Sequence, residues 1–277
     1  MSGRAAVSGA ASLALLGGLL ATSAADAAPG LVPARSPGLS PGSASVAEAS
    51  AGIPAARAAD RPAVVATRVI GRSVQDRPIR AWRLGDPGAR VKVVAVAAMH
   101  GDEKAPRAIL DALRDGAPIS GIDLWVVPRA NPDGFLRSTR KNARGVDLNR
   151  NFPKDWAHLD GQVESGPGPA SEPETRAMMR FLTRVDPRFV VSFHQPLNGI
   201  DVWGRKKRWF ARRLSDHLNL PRKEFSCGST CSGTFTQWFN HHFDGVAVTV
   251  EYGPAPAWRR MNVRAPRQLL RALGGSR

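Results

Sequence analysis

The sequence predicts an α/β fold: a single domain with a mixed, mostly parallel sheet and helices on both of its faces. Two observations predict it. Short apolar runs of strand length alternate with stretches of helical length, the pattern of a sheet covered on both sides. Three of those runs lead straight into residues that can bind metal, at His100, His194 and Glu251. Ligands of open α/β sheets gather beyond the strand ends.

Taken in order, Thr67–Ser73 and Pro78–Leu84 read as two strands joined by a turn around Gln75 and Asp76. Val91–Met99 (VKVVAVAAM) is a continuous apolar run, suited to a strand buried on both faces. Ala105–Arg114 reads as a helix stopped near Gly116, and Ile122–Val127 as the next buried strand. Ser171-Glu172-Pro173-Glu174 reads as a capping box with proline in the first turn, opening a helix to about Arg184. Phe189–Phe193 is a strand ending at His194, and Val246–Val250 a strand ending at Glu251. Arg205–Leu218 and Pro266–Leu273 read as helices.

The 277 residues are enough for one sizeable core. With 2 Cys, a multi-disulfide scaffold and a four-cysteine zinc module are excluded. No apolar run reaches the ~20 residues that span a bilayer, so no stable membrane span is expected. Ala10–Ala21 has the length and composition of a signal-peptide core, and Ala25-Asp26-Ala27 supplies small residues for cleavage before Ala28. Residues 1–27 are therefore expected to be a secretory signal and the protein to be secreted, extracellular or wall-associated. Residues 28–60 are rich in Ala, Pro, Ser and Gly and read as a linker or a propeptide. The catalytic domain is expected over 61–277.

The formal net charge is +16, and it lies entirely on that domain. Before it, Arg4, Arg35 and Arg57 balance Asp26, Glu48 and Asp60. In an exported protein such an excess points to an anionic cell-wall polymer or a membrane surface, not to nucleic acid. A solvated face on an arginine-rich chain is the other reading.

His100-Gly101-Asp102-Glu103 is an H-x-x-E motif at a strand end, where Gly101 permits a sharp turn. The imidazole and the carboxylate can then converge on one ion. A catalytic zinc takes three protein ligands and keeps a fourth position open, and His194 is the natural third. Alone, H-x-x-E is a weak signal, and His194 alone is as readily a core histidine; the strand-end placement strengthens both. His241 and His242 are the rival ligands. Glu251, a carboxylate closing an apolar strand, reads as a general base or as the partner of an arginine.

Beyond these residues the chain carries Asn131-Pro132-Asp133-Gly134 and, from Arg140 to Pro153, the stretch R-x-N-A-x-G-V-D-L-N-R-N-F-P. With His100, Glu103, His194 and Glu251 in this order, the chain from about Val69 to Pro254 resembles the zinc carboxypeptidase family. It is most similar to the bacterial murein-peptide amidase branch. The resemblance implies that His100, Glu103 and His194 bind one zinc per chain and that Glu251 is the general base. It implies that Arg140 stabilises the oxyanion and that Asn149 and Arg150 hold the substrate's terminal carboxylate, for which a guanidinium is suited as a bidentate fork.

The sequence departs from the pancreatic-type members, whose mobile Tyr would match a position near Ser229. Tyr252 is the only Tyr in the chain, and no capping role is assigned to it. Thr234, Thr236 and Gln237 are candidates for the specificity wall. Cys227 and Cys231 bracket this loop, and a local disulfide is expected in an exported protein. The expected activity is hydrolysis of a peptide amide next to a free carboxylate, with a murein peptide cut at its γ-D-glutamyl–diaminopimelate bond as the substrate. A general peptide carboxypeptidase and a non-catalytic wall-binding module are the alternatives.

Overall fold

The protein is described here by a computed structural model covering residues 62–225 and 228–277. The signal and linker expectations, and Cys227, lie outside the described residues. The described strands form one 8-stranded sheet in the order β1-β2-β4-β3-β5-β8-β6-β7. They are β1 (Val64–Arg72), β2 (Pro78–Gly85), β3 (Lys92–Val96), β4 (Asp123–Val127), β5 (Phe189–His194), β6 (Gly199–Asp201), β7 (Arg222–Lys223) and β8 (Val246–Glu251). The central pairs β4–β3, β3–β5 and β5–β8 are parallel. The flanking pairs β1–β2, β2–β4 and β8–β6 are antiparallel. The sheet is therefore mixed, with its parallel centre where the continuous apolar runs fall. Val93, Val94, Ala95 and Val96 are all fully buried, as are Val190 and Val191 beside them.

Helices cover both faces. Leu110 and Leu113 of α1 (Arg107–Arg114), Phe210 and Leu214 of α4 (Arg208–Leu218) and Leu269 and Leu270 of α6 (Ala265–Leu273) pack in one core layer. Met178 and Phe181 of α3 (Pro173–Val185) and Phe235 and Phe239 of α5 (Phe235–His242) pack in the other. The aromatic residues of α5 leave no clear amphipathic stripe, and the helix is not legible in the sequence. Nor is the short α2 (Pro132–Arg137).

Two expectations are corrected. The capping box before α3 does not form: Glu172 takes the N-cap position with no side-chain cap bond. Ser171 Oγ instead donates to Glu172 Oε1 and accepts from Asn151 Nδ2, so the adjacent Glu172 and the distant Asn151 take the hydroxyl that would have capped the helix. The second concerns β3, which ends at Val96, four residues before His100. The intervening chain runs on to place His100 in a turn packed against the start of α2. A Cβ on Gly101 would lie 2.0 Å from the carbonyl carbon of Gly134, so only glycine fits there. Gly101→Ala is expected to lower stability by about 3 kcal/mol through this backbone clash. Urea denaturation and zinc affinity measured together check it, because the same turn aims His100 and Glu103.

Candidate active site

The α2 motif is structural. Asn131 Oδ1 accepts from Gly134 N at 2.9 Å, capping the helix. Asp133 accepts from Ser73 Oγ, Gln75 N and Arg77 Nη1, pinning the β1–β2 turn. Asn142 and Asn151 are likewise buried and bonded within the long motif. Asn142 reaches Glu172 and Glu174, and Asn151 reaches Ser165 and Ser171. These bonds hold the loop on the sheet so that Asn149 and Arg150, between them, face a cleft of about 1060 Å³.

His100, Glu103 and His194 come together at the edge of that cleft, buried, with ligand atoms all within 4.8 Å of one another. Glu103 lies between the two imidazoles, Oε1 at 2.6 Å from His100 Nδ1 and Oε2 at 2.8 Å from His194 Nδ1. The two Nδ1 atoms are 3.3 Å apart. Two nitrogens each ~2.0–2.1 Å from a tetrahedral zinc stand about 3.3 Å from one another, so the donor set fits that ion. Outer partners orient both rings: His100 Nε2 meets Asp147 Oδ1 at 3.0 Å, and His194 Nε2 meets Ser192 Oγ at 3.0 Å. A metal-binding histidine needs such a partner on its far nitrogen.

Asp147 is a hub that sequence reasoning left without a role. Besides His100 it accepts from Arg140 Nε at 2.9 Å and Nη2 at 2.8 Å, and from Asn149 N at 2.9 Å. Its presence in the long motif was the available signal. Burial opposes its charge, but His100, Arg140 and Arg150 outweigh burial and hold it ionised well below the usual carboxylate range. For His100, burial works against protonation, yet Asp147 and Glu103 lift its pKa to about 9 in the metal-free protein. Glu103, despite its own burial, is drawn down to about 2 by the two histidines. The pocket thus stabilises positive charge between these donors.

Glu251 closes β8 directly beside His194 in the parallel register. It lines the cleft without joining the three-residue donor cluster. Its Oε2 accepts from Leu197 N at 3.2 Å. Burial, the largest influence, pushes its pKa up, and the charge of Glu103 adds to the shift. Arg140 presents Nη1 at 3.3 Å from His100 Nδ1 and 3.8 Å from Glu103 Oε1. Asn149 and Arg150 line the same cleft. Asn149 Oδ1 accepts from Phe235 N, which turns its amide NH2 into the donor available to a ligand.

Thr234, Thr236 and Gln237 all line the cleft wall, as expected for a specificity surface, and so does Cys231. His241 lies on the cleft outside the donor cluster, and His242 bonds the backbone of Trp238. Tyr252 is fully buried in the core layer on the opposite face from Glu251, because successive residues of a strand point to opposite faces. It has no part in the cleft.

The fold and this donor set define a metal-dependent hydrolase of the α/β class. The chain belongs to the zinc carboxypeptidase family, which matches it over residues 55–200, and it is a metallopeptidase. It is 34% identical over 206 residues to murein peptide amidase A of Escherichia coli strain K12, covering 68% of this chain and 81% of that protein. The structure of murein-tripeptide amidase from Escherichia coli O157 superposes with a TM-score of 0.64 at 29% identity, over 75% of this chain and 91% of that one. Carboxypeptidase A from Helicoverpa armigera shares the fold at 17% identity, with a TM-score of 0.63 over 76% of this chain and 69% of that one.

Proposed function

We propose that this protein is an exported, zinc-dependent amidase that cuts a murein peptide at the γ-D-glutamyl–diaminopimelate bond. One observation carries the reading. Three buried metal donors, a basic carboxylate and two arginines converge on one cleft, in a chain whose relatives include murein peptide amidases.

His100, Glu103 and His194 would hold one zinc, which would supply a Lewis acid for the scissile carbonyl and lower the pKa of a water to about 7. Glu251 takes the proton of the attacking water and passes it to the leaving amine. Its burial makes it a stronger base than an exposed glutamate. Arg140, held by two bonds to Asp147, donates to the carbonyl oxygen as negative charge grows there. Such a donor is typically worth about 3 kcal/mol in the barrier. Arg150 and Asn149 receive the terminal carboxylate and so fix which amide is presented.

Export is read from the order of charged, apolar and small residues over 1–27. The basic surface of the domain suits retention at an anionic wall polymer. A disulfide between Cys227 and Cys231 would stiffen the loop that carries Cys231 on the cleft wall. Among the described residues no helix is long and apolar enough to cross a membrane.

Mass spectrometry of products from purified muropeptides, with and without chelator, tests the reading. Chelator-sensitive loss of diaminopimelate from the tripeptide is expected. Intact muropeptide alongside release of C-terminal Lys, Phe or Leu from ordinary peptides would instead make the protein a general carboxypeptidase.

A further inference from the structure

The cleft contains a second ionic feature that the proposed chemistry leaves unused. The antiparallel register pairs Gly199 with Glu251 and Ile200 with Val250, which carries Asp201 to the level of Thr249. Ile200 and Val250 point into the core layer beneath. Asp201, Thr249 and Glu251 all line the cleft. Lys207, just before α4, places Nζ 2.5 Å from Asp201 Oδ2. Both side chains are nearly buried, at 6% exposure for Lys207 and 11% for Asp201, and both line the cleft. Asp201 Oδ1 is held in turn by Trp203 N at 3.0 Å.

A buried ion pair is seldom better for stability than apolar residues of the same size, because desolvation offsets the attraction. Fold stability therefore gives no strong reason for one in a cleft wall. Lys206 and Lys223 also line the cleft but are directed at backbone carbonyls, of Asn240 and Phe243 and of Leu197. Lys207 differs in being matched to a carboxylate.

We propose that the Asp201–Lys207 pair selects a C-terminal substrate residue whose side chain itself ends in a zwitterion, an ammonium and a carboxylate on one carbon. The inference rests on the proposed function and names the part of its substrate that this wall reads. A zwitterionic tip lying head-to-tail against the pair sets its ammonium by Asp201 and its carboxylate by Lys207, so all four charges are matched. A lysine side chain brings only the ammonium and leaves Lys207 without a new partner. A lone carboxylate fails at Asp201 in the same way. The reach also fits. Thr249 stands two residues back from Glu251, about 7 Å along the strand. Four extended carbon–carbon bonds, from the α-carbon of diaminopimelate to its far chiral carbon, span about 5 Å. The tip can meet the pair while the scissile amide lies at Glu251.

The test compares kcat/KM on three synthetic peptides, L-Ala-γ-D-Glu joined to meso-diaminopimelate, to L-lysine, or to diaminopimelate amidated at its side-chain carboxyl. The wild-type protein is expected to favour the zwitterionic peptide by about 100-fold over each of the others. The double variant Asp201→Asn with Lys207→Met removes both charges together and leaves neither buried alone. Its preference is expected to shrink to about threefold or less. Equal wild-type efficiencies on the three peptides overturn this inference alone, as does a folded double variant that keeps the full preference. Hydrolysis of none of them removes the proposed function, and this inference with it. The wild-type comparison decides the matter even if the double variant does not fold.

Discussion

Glu251→Gln is expected to lower kcat by about 10³-fold while zinc content stays stoichiometric. The donor cluster is complete without Glu251, so the ion does not depend on it. Glutamine has the same shape and keeps an oxygen to accept from Leu197 N, the bond that fixes the glutamate. What it loses is basicity. Burial raises the pKa of Glu251, which brings a carboxylate closer to the operating pH and makes it a better proton acceptor there. Metal analysis and steady-state rates on the same preparation check the prediction. A rate within tenfold of wild type, about 1.4 kcal/mol in the barrier, would take the proton-transfer role away from Glu251.

His194→Ala is expected to abolish stoichiometric zinc and, with it, at least about 10³-fold of activity, since outer partners of metal ligands alone are worth 10–100-fold. Removing the ring breaks the triangle of donors, in which His194 Nδ1 stands 3.3 Å from His100 Nδ1 and 2.8 Å from Glu103. The two donors left come from one H-x-x-E turn and leave the ion half-coordinated. Ser192 loses its buried partner as well, so a modest loss of stability should accompany the loss of metal. Full zinc occupancy in this variant would mean that another side chain supplies the third ligand, and His241, which lines the cleft outside the donor cluster, would be the first to test.

Some of this was readable along the chain, for reasons that are local. Strands β3, β5 and β8 are apolar at nearly every position because both faces of the central sheet are covered, and such runs announce themselves without knowledge of their neighbours. His100 and Glu103 were readable because three residues of separation are closed by a single turn. The motif from Arg140 to Pro153 was readable as a unit. Residue type alone does not say which of its members face the cleft, since Arg140, Asn149 and Arg150 stand among structural Asn142, Asp147 and Asn151 of similar polarity; the family resemblance singled out the three that line it.

The sequence by itself pointed to the class of fold and, through residue type and the order of the family's motifs, to three candidate metal donors and the chemistry their types allow. Only the tertiary structure decided who stands behind them. Asp147 reaches His100 across 47 residues, and Ser171 abandons its helix for Asn151. Asp201 comes level with Thr249 only because β6 folds back antiparallel beside β8. Tyr252, next to Glu251 in the chain, is turned into the opposite core layer by the alternation of a strand. Contacts of this kind depend on strand order and register, which the packing of the whole domain sets and no local stretch of sequence encodes.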